Sequence, residues 1–72
     1  MGNKTLNSNI SQNGKVYHIQ TEIIGDRVVT QIFLSGRVIF SFKDNFVDYA
    51  TTNKQHKTAE AAVIKNKIKL DD

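Results

Sequence analysis

Between residues 5 and 43 apolar and polar positions alternate with a period close to two, and three glycine-bearing pairs interrupt the alternation: Asn13-Gly14, Gly25-Asp26 and Ser35-Gly36. Such runs, bounded by turn residues, predict β-strands at about 5–12, 15–24, 27–34 and 37–43. Asn13-Gly14 suits a type I′ turn, in which both central residues need positive φ. A two-residue loop there opposes Gln12 with Lys15, Ile10 with Tyr17, Ser8 with Ile19 and Leu6 with Thr21. Gly25-Asp26 suits type II′, with glycine at the first central position. It opposes Ile23 with Val28, Thr21 with Thr30, Ile19 with Ile32 and Tyr17 with Leu34. Opposed residues of antiparallel strands share a face, so the two turns independently assign one core side.

Ser35-Gly36 admits two loops. A two-residue loop opposes Ile32 with Ile39 and throws Phe40 and Phe42 onto the other face. A three-residue loop of Leu34, Ser35 and Gly36, with Gly36 left-handed in a bulge, opposes Phe33 with Arg37, Ile32 with Val38, Thr30 with Phe40 and Val28 with Phe42. The bulged turn is expected, because it gathers both phenylalanines into the core.

After Lys43 the period changes, and a helix is expected over about 47–68. Phe46, Ala50, Ala61, Ile64 and Ile68 fall within one sector at 3.6 residues per turn. Asp44 and Asp48 near its start, with Lys65, Lys67 and Lys69 near its end, complement the helix dipole. Thr52 and Gln55 have capping-box spacing, which would delay the regular helix to that point. Lys57 lies inside the apolar sector and conflicts with it. The pattern as a whole predicts one α+β domain: a four-stranded antiparallel meander in order 1-2-3-4 with a C-terminal helix across one face.

The face away from the helix is then to carry Val16, Ile24, Val29, Phe33 and Ile39 among His18, Gln20, Glu22 and Gln31. A solvated sheet face is ordinarily polar, and contiguous apolar patches of several hundred Å² mark interaction sites. Scattered exposed hydrophobics are the plain alternative, and a groove for another molecule is a third. The leading expectation is a non-enzymatic interaction module that homodimerises through this sheet face or a strand edge. Val16, His18, Gln20, Glu22, Val29, Gln31, Phe33 and Ile39 form the expected contact surface, and Phe33→Asp is expected to yield a monomer.

Composition sharpens this expectation. A chain of 72 residues without cysteine has no disulfide to staple it. Domains of this size bury only about 60% of their unfolded surface, so association is the remaining route to more burial. No apolar run approaches the ~18 residues of a membrane span, and the first residues lack a signal-peptide core, so a soluble cytoplasmic chain is expected. The net charge of +3 is mild. Lys54, Lys57, Lys65 and Lys69 form an alternative basic surface on the helix for weak binding of nucleic acid or another anionic partner. Lysines bordering a buried stripe commonly snorkel over the core edge instead.

Chemistry is sparse. His18 and Glu22 project from one side of strand two and could in principle exchange protons, but a sheet face offers no cleft, and no catalytic role is expected. His18 and His56 lack the close spacing of zinc ligands, and the isolated glycines form no phosphate loop, so neither metal nor cofactor is expected.

The run Asn13-Gly14-Lys15-Val16-Tyr17-His18-Ile19-Gln20-Thr21-Glu22 resembles an N-G-[KR]-x-[YF]-H-[IV]-Q-T-E strand in small uncharacterised bacterial proteins of deltaproteobacterial type. Val29-Thr30-Gln31-Ile32-Phe33, Gly36-Arg37-Val38-Ile39 and Gln55-His56-Lys57 are similar to later motifs of that group. The likeness runs from about Asn13 to Ile68, departing in a shorter and less acidic connection before the helix. It implies this architecture and a special status for His18, Gln20, Glu22 and Gln31, with no activity attached.

Overall fold

The computed structural model describes residues 5–65. The expected frayed residues 1–4 and the expected helix positions Ile68, Lys67 and Lys69 lie outside them. Four strands, β1 (Thr5–Gln12), β2 (Lys15–Ile24), β3 (Arg27–Leu34) and β4 (Arg37–Asn45), form one antiparallel sheet in order β1-β2-β3-β4. Helix α1 (Tyr49–Ile64) follows.

The first two turns set the registers that their chemistry requires. Asn13 and Gly14 have φ of 56° and 76°, the two left-handed positions of type I′. Gly25 has φ of 61° while Asp26 stays out of that region, as in type II′. Ile10 opposes Tyr17, Ile19 opposes Ile32 and Thr21 opposes Thr30. Tyr17, Ile19, Val28 and Ile32 are consequently buried on the helix side, with Ile19 and Ile32 sealed from solvent.

The third turn departs from expectation. Ser35 and Gly36 both take positive φ, 54° and 77°, so the loop has two residues and Leu34 opposes Arg37. Phe33 then opposes Val38, the register shifts, and Ile32 opposes Phe40. Ile39 is the extra residue of a bulge. The face correction that the longer turn was expected to make happens two residues inside the strand. Past the bulge, Thr30 opposes Phe42 and Val28 opposes Asp44, not Phe40 and Phe42 as expected.

The helix also differs. Asp48 caps it, accepting from the Thr51 backbone N–H at 2.7 Å, and this bond holds the Asp48 carboxyl below the usual carboxylate range. Thr52 is no cap: it is buried one turn in, and its hydroxyl donates to the Asp48 carbonyl. The sheet-facing stripe is Thr52, His56, Ala59 and Val63, at spacings of four, three and four. Ala50 and Ile64 are exposed, and Phe46 precedes the helix. Two of the four stripe residues are polar and one is small, so hydrophobic periodicity pointed to the wrong side. With the stripe placed here, Lys57 faces water and its conflict disappears.

Candidate interaction surface

An α-helix is about 10 Å wide, whereas four strands at about 4.8 Å spacing spread their axes over roughly 14 Å. One helix cannot cover such a sheet. Among the described residues, α1 sits over β1, β2 and β3, and most of β4 lies beyond its edge.

Hydrogen bonds on the β1 side hold this offset. Gln12 Nε2 donates to the Ile64 carbonyl at 2.9 Å. Beneath the helix, Ser8 donates its one hydroxyl proton to Glu60, so its 2.8 Å contact with His56 Nε2 is acceptance from Nε2–H. In the neutral imidazole Nδ1 is then an acceptor, and Thr21 donates to it at 2.8 Å. Thr21 in turn accepts from Thr30 at 2.8 Å, and Thr30 accepts from Gln55 Nε2 at 2.9 Å. Every hydroxyl in this relay has one defined direction, running from Gln55 to Glu60.

Burial lowers the His56 pKa; the Glu60 carboxylate opposes that shift, and the charges of Lys57 and His18 add to it. Protonation would also reverse the Thr21 hydroxyl and leave the Thr30 proton without an acceptor. Ser8, His56 and Glu60 are no nucleophilic triad, since Ser8 donates to the carboxylate and the imidazole proton already sits on Nε2.

On the uncovered side, Phe40 and Phe42 point toward the helix layer but remain 43% and 46% exposed. With Ile32, Ile39, Ala59 and Ala62 they line an open groove of about 740 Å³ between β4 and the flank of α1. Phe40 was expected beneath the helix; it lies beside it.

The outer face carries most of the expected contact surface. Val16, His18, Gln20, Glu22, Val29, Gln31 and Phe33 alternate out of β2 and β3. Val16 is exposed and the other six are half-buried. His18 donates its Nδ1–H to Asn9 Oδ1 at 3.0 Å and lies obliquely against Phe33, ring centroids 5.8 Å apart. Gln20 and Gln31 oppose one another across the strands. Ile39 is a correction: the bulge turns it toward the helix, where it packs on the core, and Val38 stands opposite Phe33 in its place. Ile24 was also counted here, and it is exposed at the end of β2.

Of the alternative basic surface, Lys54, Lys57 and Lys65 are exposed, and Lys69 lies outside the described residues. His18 and His56 stand on opposite faces of the sheet, and no group of three or more potential metal-ligating side chains gathers among the described residues. Among them, too, no helix is long and apolar enough to cross a membrane.

Three signals went unread in the sequence: the bulge at Ile39, the polar relay, and the groove. The relay had a partial trace, because Thr21 and Thr30 were already opposed by the second turn. No family model, curated protein or solved structure matches this chain.

Proposed function

We propose that this protein is a non-enzymatic interaction module that forms a homodimer, with β4 and its helix-side groove as the contact surface. The supporting observation is the pair Phe40 and Phe42, which lies on the core side of the sheet but is left open because the helix sits over the other three strands. With about 200 Å² for each side chain, the two leave roughly 180 Å² of apolar surface in water. A small cysteine-free domain gains most by burying such a surface against another chain. The outer face is the weaker candidate, because its apolar row of Phe33 and Val38 is bordered by the Gln20–Gln31 pair and by Glu22.

Sedimentation across a concentration series tests this. The wild type is expected to dimerise and Phe42→Asp to be monomeric, while Phe33→Asp, which the sequence pattern expects to be monomeric, keeps the wild-type mass. A wild type that remains monomeric at high concentration removes the proposal.

A second reading has one observation behind it. Lys54, Lys57 and Lys65 all project from the solvent side of α1, opposite the stripe facing the sheet, and could hold an anionic partner such as nucleic acid. Binding to a mixed oligonucleotide is then expected to weaken steeply with salt; no binding at low salt dismisses it.

A further inference from the structure

We propose that two copies pair along β4, antiparallel, about a two-fold axis at Ser41, making one eight-stranded sheet; this rests on the homodimer proposed above. β4 is a sheet edge whose regular stretch past the bulge at Ile39, Phe40 to Phe42, carries no charge, and the chain has no proline to blunt it. An edge of that kind is a template for another strand, and a second β4 is the strand whose side chains match it.

The register follows from the side chains. Centring the pair on Ser41 opposes Phe40 with the partner's Phe42, and Phe42 with the partner's Phe40. Skipping the bulged Ile39, as β3 does, Val38 then opposes the partner's Lys43 and Arg37 opposes the partner's Asp44. Within the sheet Arg37 pairs with Leu34 and Asp44 with Val28, so both side chains lie on the helix side, the face on which they would meet. Arg37 has no ion-pair partner among the described residues. Shifting the centre to Phe42 sets Phe40 against the partner's Asp44, and shifting it to Phe40 sets Phe42 against the partner's Arg37. The Ser41 register alone opposes aromatic with aromatic and cation with anion, twice over by symmetry.

Pairing along one nine-residue strand lies at the small end of specific interfaces, under about 1,200 Å² in total, so a micromolar dissociation constant is expected. Charge reversal tests the register. Arg37→Asp sets carboxylate against carboxylate at both ends of its homodimer, and Asp44→Arg sets guanidinium against guanidinium. Each is expected to dimerise about tenfold more weakly than wild type. An equimolar mixture of the two variants restores both attractive pairs, and a heterodimer of wild-type strength is expected. Ser41→Cys is expected to cross-link to itself in mild oxidant, since directly opposed antiparallel residues have Cα atoms about 4.5–5.5 Å apart, within the span of a disulfide.

A dimer in which the mixture gives no recovery and the Ser41→Cys variant does not cross-link overturns the register while the homodimer stands. A wild type that never associates overturns both. Circular dichroism of each variant, matching wild type, excludes unfolding as the cause of weakened association.

Discussion

β1 and β4 are both edges of one sheet, but their sequences treat the edge in different ways. β1 reads Thr-Leu-Asn-Ser-Asn-Ile-Ser-Gln: its outer side is entirely polar, and its inner side is tied to the helix through Ser8 and Gln12. β4 reads Arg-Val-Ile-Phe-Ser-Phe-Lys-Asp-Asn, has two half-exposed phenylalanines on its inner side, and lies beyond the helix. The contrast teaches that a helix placed off-centre by polar bonds decides which edge is finished and which is left to be covered. Apolar content alone would have drawn the helix toward Phe40 and Phe42. The hydrogen-bonded relay and Gln12 hold it toward β1 instead.

The sharpest way to test that contrast is to truncate one side chain in each half. Ile19→Ala, beneath the helix, is expected to cost about 2–5 kcal/mol in urea unfolding, a large share of the roughly 4–11 kcal/mol typical for a domain of this length. Phe42→Ala, measured below the association concentration, is expected to cost less, about 1–2 kcal/mol, because nearly half of the side chain is already in water. Comparable losses from the two would mean that the β4 side is as well covered as the β1 side.

Phe42→Asp comes next, and its effect is on association: at least about 30-fold weaker dimerisation in sedimentation, the scale of an interface hot spot. Ser8→Ala then probes what ties down β1. It leaves His56 Nε2–H without its acceptor and is expected to cost about 1–3 kcal/mol of unfolding free energy with no change of dimer affinity measured on folded protein. A loss of affinity without loss of stability would contradict the assignment of Ser8 to the β1 side.

The smallest expected effect is in pH dependence. The His56 pKa is lowered in the folded chain, chiefly by burial, so between that value and the ordinary 6.5 the unfolded chain binds more protons. The His56 contribution to stability is therefore complete above pH 6.5 and is lost as pH falls through the lowered folded pKa. Denaturation midpoints measured downward from pH 7.5 should decline across this window, and His56→Gln should flatten that part of the curve. An unchanged slope in the variant would remove His56 as its source.

Much of this was legible in the chain. Asn13-Gly14 and Gly25-Asp26 announce their turn types because only certain residues enjoy positive φ, and each turn then sets the register of a whole strand pair. The third turn was missed because a two-residue loop at Ser35-Gly36, without a bulge further on, sends Phe40 and Phe42 outward; Ser35 takes that loop at φ of 54° all the same. The bulge that followed restored Phe40 and Phe42 to the core side, so the expected face was reached by a different register, and Ile39 went with them.

Strand order, the first two registers and the outward course of His18, Gln20, Gln31 and Phe33 were settled by local sequence, because backbone sterics and a period of two act over a few residues. The face of the helix, and hence the open groove beside β4, was decided only by tertiary structure. Gln55 and His56 count as solvent-seeking polar residues until Thr30, Thr21 and Ser8 arrive from distant positions to satisfy them. No window along the chain contains those partners together.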